Sequence, residues 1–256
     1  MKKFKAILVL AIVIIAVFLG GCGKDIKEDA KDVATKAFDA LKNKDYEKYY
    51  SYFSKDSMAL IEETPEKLAE RLKNEQGAGG IDIQKINMSD IQDNGDGIMI
   101  LPYETVFVDK AKKEKIVEGE IALRKEKGGF KILYEGMIKA QEYEKSKDTL
   151  QSGQYRISVF KSVDAVNGKH IYTHIENNSE KLIDFGGGGR DSAKITLTTD
   201  EGVYTAELKA KYKPQDDTVV DIFFKDAKGE VLKVEAEGIY FSNDPSSIVI
   251  YEKKNK

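Results

Sequence analysis

Apolar residues recur along this chain with two different periods, and the change of period divides it. Ala6 through Gly21 is an unbroken run of apolar residues and glycines, preceded by Met1-Lys2-Lys3-Phe4-Lys5. That run is shorter than the roughly 20 residues a membrane-spanning helix needs. From Ile26 the spacing becomes helical. Ile26, Ala30, Val33, Ala34, Ala37 and Leu41 share one face of a helix predicted over 26–44, and Asn43-Lys44-Asp45 ends it. Residues 46–54 predict a short second helix, aromatic on one side. Thr64-Pro65-Glu66 predicts a helix start, with Thr as N-cap, Pro at the first helical position and Glu in the first turn. Leu68, Ala69 and Leu72 continue that helix, and Gly77-Ala78-Gly79-Gly80 stops it.

After Gly80 the period falls to two. Strands are predicted at 81–92, 98–108, 114–125 and 129–139. The turns between them carry Asn94-Gly95 and Asp96-Gly97, the polar loop 109–113, and Gly128-Gly129. Residues 140–153 are polar and charged and read as a linker. Beyond them lie predicted strands at 154–163, 169–177, 181–185, 193–199, 203–211, 217–225, 230–240 and 247–252. Turn residues punctuate them, including Asn167-Gly168, Asp200-Glu201-Gly202 and Lys228-Gly229. The pattern predicts an α+β domain with helices on one face of an antiparallel sheet, then a β-sandwich.

Composition narrows the chemistry. The 256 residues include 41 basic and 44 acidic ones, a formal charge of −3, which argues against nucleic acid as a partner. One cysteine excludes an internal disulfide framework and any multi-cysteine zinc site. That cysteine closes the sequence Leu19-Gly20-Gly21-Cys22, directly after the basic start and the apolar run. These four residues resemble the lipobox of bacterial lipoproteins. In that family the cysteine thiol receives a diacylglyceryl group and a peptidase cuts before it. The resemblance implies that 1–21 is a lipoprotein signal peptide, that Cys22 is lipidated and binds membrane lipid, and that 22–26 is a tether. Cleavage there would remove three of the 41 basic residues and no acidic one, taking the charge to −6. The basic residues are nearly all Lys, with Arg only at 71, 124, 156 and 190. With the lipobox, this bias points to a low-GC Gram-positive bacterium and the extracellular face of its cell membrane.

Residues 27–139 resemble the nuclear-transport-factor-like cone fold, in which N-terminal helices cover a curved antiparallel sheet. The resemblance rests on Ala37-Phe38-Asp39-Ala40-Leu41, Asp45-Tyr46, Tyr49-Tyr50 and Gly128-Gly129-Phe130-Lys131-Ile132. It is similar to the N-terminal domain of some penicillin-binding proteins. Residues 154–256 resemble the telokin-like, immunoglobulin-like sandwiches of Gram-positive surface lipoproteins, through Val166-Asn167-Gly168-Lys169, Ile171-Tyr172-Thr173-His174-Ile175 and the turn 176–180. Neither resemblance implies one activity.

Four sets of residues bear on function. Tyr46, Tyr49, Tyr50 and Phe53 form a dense aromatic stretch, expected to mix core packing with lining of a cone pocket. Gly186–Gly189 followed by Arg190-Asp191 is expected to be a flexible loop at one end of the sandwich. Gly187, Gly188, Arg190 and Asp191 are the candidate recognition residues. His170 and His174 have the spacing of a helical zinc pair. On a strand they would stand about 13 Å apart, too far to share a metal. Asp90–Gly95 departs from a calcium loop at its third and twelfth positions, Gln92 and Leu101. No catalytic residue, metal or cofactor is assigned. The reading is a membrane-anchored extracellular lipoprotein with a non-catalytic binding or assembly role at the cell envelope, its partner an envelope protein or a small ligand. Small-molecule binding in the cone cavity, and hydrolase or isomerase chemistry by a buried carboxylate, are the alternatives.

Overall fold

The computed structural model describes residues 26–79, 82–108, 112–143, 155–186, 190–241 and 245–253. The predicted signal peptide (1–21), Cys22 and most of the predicted linker (144–153) lie outside these residues. The chain divides into two units. One holds Thr64–Ile132 with the chain up to Ser54, and the other holds Lys55–Glu63 with the chain from Leu133 onward.

In the first unit, α1 (Ile26–Lys42) buries Ala30, Ala34, Ala37, Phe38 and Ala40 along one stripe. Glu28 and Asp29 sit in its first turn and Lys42 in its last, matching the helix dipole. Asp45 caps α2 (Tyr46–Ser51) by accepting the Lys48 N–H at 3.2 Å. After α3 (Lys55–Ala59, which belongs to the second unit), the Thr64 hydroxyl accepts the Lys67 N–H at 3.3 Å and starts α4 (Pro65–Gly79). The sheet of this unit runs β1 (Asp82–Met88), β3 (Ile98–Val108), β4 (Glu114–Glu126), β5 (Gly129–Leu133), with β2 (Gln92–Asp93) also on β3. Tyr103 of β3 lies opposite Gly119 of β4, and its ring fills the space a side chain would take. The Phe38 ring packs 4.9 Å from it.

The second unit contains two sheets. One runs β13 (Asp217–Lys225), β8 (Gly168–Asn177), β7 (Tyr155–Ala165), β6 (Met137–Glu142). The other runs β11 (Val203–Leu208), β10 (Ala193–Thr199), β14 (Val231–Tyr240), β9 (Ile183–Asp184), β12 (Lys211–Tyr212), with β15 (Pro245–Glu252) on β14. Strand alternation sends Ile157, Ile171, Ile175, Ile222 and Phe224 of the first sheet into one core with Ile183, Ile195, Leu197, Val234 and Ile250 of the second.

The expected fold class is overturned. An α+β cone with helices packed on a curved sheet, followed by a separate all-β immunoglobulin-like sandwich, is not what forms. The chain is mostly β, with three antiparallel sheets and four helices of 5 to 17 residues among the described ones. The cause is local. The run 129–139 reads as one strand but breaks at Tyr134–Gly136, where Glu135 has φ 48° and Gly136 φ 69°. The chain then re-enters as β6 and pairs with β7, running to Glu142 opposite Lys161. The segment α3 also joins the second unit. The Ser57 hydroxyl donates to the Met137 carbonyl at 2.9 Å and accepts the Tyr134 N–H at 2.9 Å. The sandwich unit is therefore not all-β, and the helices are not gathered into one cap.

Candidate functional site

The predicted recognition loop leads to a charged cluster on the outer face of the larger sheet. Ile183 and Phe185 alternate inward and are buried, so Asp184 between them points outward. In register, Lys211 of β12 and Tyr240 of β14 are its cross-strand neighbours. Tyr240, Asp184 and Lys211 thus form a row across three strands. Arg190 completes it. Its guanidinium lies 4.3 Å from the Tyr240 ring centre, and Nη1 is 3.4 Å from Asp184 Oδ2. Lys211 Nζ is 3.4 Å from the same oxygen. Asp184 Oδ1 accepts the Gly186 N–H at 2.9 Å. The Asp184 side chain is 5% exposed, whereas Arg190 and Lys211 keep 38% and 43% of theirs open to water.

Gly186 is required where it stands. Its φ is +105°, and a Cβ there would lie 2.3 Å from the Asp191 carbonyl oxygen. The Ala193 N–H then donates to the Phe185 carbonyl at 2.7 Å and resumes the sheet. Asp184 therefore fixes the root of the glycine loop while drawing two cations to one carboxylate. Lys209 and Lys213 flank Lys211 on the exposed side, since Tyr212 between them faces the core.

The other predicted residues are distributed as follows. Cys22, Gly187 and Gly188 lie outside the described residues. Arg190 joins the Asp184 cluster. Asp191 is exposed, and its backbone carbonyl is what crowds Gly186. Tyr46, Tyr50 and Phe53 are buried in the first unit and Tyr49 is half-buried. The Tyr49, Tyr50 and Phe53 rings meet one another at 4.9 to 5.1 Å. They pack as an aromatic cluster within the first unit.

The two histidines lie on β8, and each meets its own carboxylate on β13. His170 Nδ1 is 2.9 Å from Asp221 Oδ2, and His174 Nε2 is 2.5 Å from Asp217 Oδ1. His174 Nδ1 is also 3.2 Å from Glu176 Oε1. Burial, then the Asp221 carboxylate, pushes the Tyr172 hydroxyl well above the usual phenol range. Among the described residues no three His, Cys, Asp or Glu side chains converge as a metal site.

Sequence reasoning missed Asp184, Lys211 and Tyr240. Two signals pointed to part of them: the Lys209, Lys211, Lys213 alternation around an inward Tyr212, and a lone Asp between Ile183 and Phe185. No family model and no curated protein matches the chain. Among the described residues no helix is long and apolar enough to cross a membrane.

Proposed function

We propose that this chain is a lipid-anchored protein on the extracellular face of the cell membrane, with a non-catalytic binding or assembly role at the cell envelope. One observation carries the reading: Leu19-Gly20-Gly21-Cys22, holding the chain's only cysteine, follows a basic start and an apolar run too short to span comfortably. A diacylglyceryl group on that thiol supplies two acyl chains, enough for stable anchoring where one chain is marginal. Anchoring confines the folded units to a plane and raises their effective concentration near envelope partners. A binding role is supported by the positioned charges of Arg190 and Lys211 at a sheet edge beside a loop.

The test is metabolic labelling with an alkyne fatty acid in a Gram-positive host. The wild-type protein takes up label in the membrane fraction, and Cys22→Ala takes up none. Equal labelling of the two proteins would reject the anchor.

A further inference from the structure

We propose that Arg190 and Lys211, with Lys209 and Lys213 beside them, form a binding site for a phosphate-bearing polyanion. The inference names a ligand chemistry for the binding role proposed above and rests on that reading for its setting. Two cations sit on one oxygen of Asp184, and the other oxygen is taken by the Gly186 N–H. The cluster is left with a surplus positive charge, and an external anion would balance it.

Both cations are held in place before any ligand arrives. Arg190 is stacked on Tyr240 and tied to Asp184, yet its guanidinium stays part-open and keeps donors beyond the one facing Asp184. A planar fork of this kind suits the geometry of a phosphate. Lys211 reaches the same oxygen from the edge strand, since β12 pairs only with β9 among the described strands. Holding two long side chains in advance removes much of the ordering cost that binding otherwise carries.

The neighbours decide between a single anion and a polymer. Lys209, Lys211 and Lys213 are exposed at alternate positions around the short strand β12, so three ammonium groups lie close along one stretch of chain. A chain of repeating phosphates can engage successive cations, and linked contacts gain by effective concentration. The stripe belongs to a chain with an acidic excess. At physiological salt the screening length is about 8 Å, so a ligand at the stripe is governed by local charge and not by the net charge.

The test uses the full-length protein in detergent micelles and isothermal titration with linear polyphosphate, with inorganic phosphate in parallel. Wild type binds polyphosphate, and the double variant Arg190→Gln/Lys211→Gln binds at least tenfold more weakly. Lys125→Gln, a charge loss in the other unit, leaves affinity unchanged. Inorganic phosphate binds far more weakly than the polymer. A second arm uses the Cys22→Ala protein with phosphatidylglycerol or phosphatidylcholine vesicles. Arg190- and Lys211-dependent capture by the anionic vesicles assigns the phosphate to a lipid headgroup, and polyphosphate binding without capture assigns it to a soluble polymer. A wild type that ignores polyphosphate, or a double variant that matches it, overturns the site. Neither result depends on whether Cys22 accepts a fatty acid.

Discussion

Asn177 is the side chain whose removal most directly probes how the second unit is held together. It ends β8 and is fully buried, at 0% exposure. Its Nδ2 donates to the carbonyls of Lys181, Tyr212 and Lys213 at 2.8, 3.1 and 3.0 Å. Its Oδ1 accepts the Ser179 N–H at 3.1 Å and the Ser179 hydroxyl at 2.7 Å. One amide therefore joins the end of one sheet to the strand that carries Lys211 in the other. In Asn177→Ala the Lys181 carbonyl keeps the Ser179 hydroxyl at 3.0 Å, and Lys213 is exposed enough for its carbonyl to reach water. The Tyr212 carbonyl keeps the ladder N–H of Ile183, its partner on β9, whereas the Ser179 N–H loses its buried acceptor. At roughly 1–3 kcal/mol for an orphaned buried group, with about 1 kcal/mol for the other hydrogen bonds lost, the expected loss is about 3 kcal/mol. That is a large share of the roughly 5–15 kcal/mol that holds a domain folded. Asn177→Asp has the same shape but replaces the donor with an acceptor facing three carbonyls, so it costs more than the alanine. Urea titration followed by tyrosine near-ultraviolet circular dichroism reads both variants, since the chain has no tryptophan. A loss below about 1 kcal/mol for Asn177→Ala, or an aspartate variant more stable than the alanine, would refute the reasoning.

Three further predictions follow from other parts of the molecule. Gly168→Ala would place a Cβ 2.3 Å from the Phe224 carbonyl oxygen and 2.9 Å from the Phe223 ring. The β7–β8 hairpin must shift, and urea titration should show a loss of about 3 kcal/mol. Burial pushes the Tyr143 hydroxyl up to about 12, with the Ser162 hydroxyl 2.8 Å away. Between pH 10 and 12 the unfolded chain sheds this proton while the folded one keeps it, so stability falls as pH rises through that window. Allowing for solvent screening of a partly exposed ring, the contribution is about 1 kcal/mol. Thermal melts of Tyr143→Phe should accordingly show a shallower alkaline decline than wild type. Asp184→Asn removes the charge that gathers Arg190 and Lys211, and chemical denaturation should register about 1–2 kcal/mol of lost stability.

Local chemistry carried much of this architecture in the sequence. The Thr64-Pro65 start and the glycine turns act through a few neighbouring residues, and the structure places them as the residue types dictate. What the sequence concealed was which strand pairs with which. The stretch 129–139 alternates well enough to pass for one strand, and the break at Glu135-Gly136 depends on two positive φ angles, one at a glutamate. Once that break is made, β6 pairs with β7 and belongs to the second unit. The candidate site shows the same division. Arg190 beside a glycine run drew notice for its composition. Asp184, Lys211 and Tyr240 meet it only because β9 lies between β12 and β14, a tertiary fact with no short-range signal. The histidines were legible as strand residues, but their carboxylate partners sit more than forty positions along the chain, on β13.

The central claim is that Cys22 tethers the folded units to lipid. Intact-mass measurement of the protein extracted from host membranes tests it most directly. The account predicts a polypeptide that begins at Cys22 and carries the added mass of a diacylglyceryl group. Recovery of the protein from the aqueous fraction with residues 1–21 still attached and no added lipid mass would contradict it.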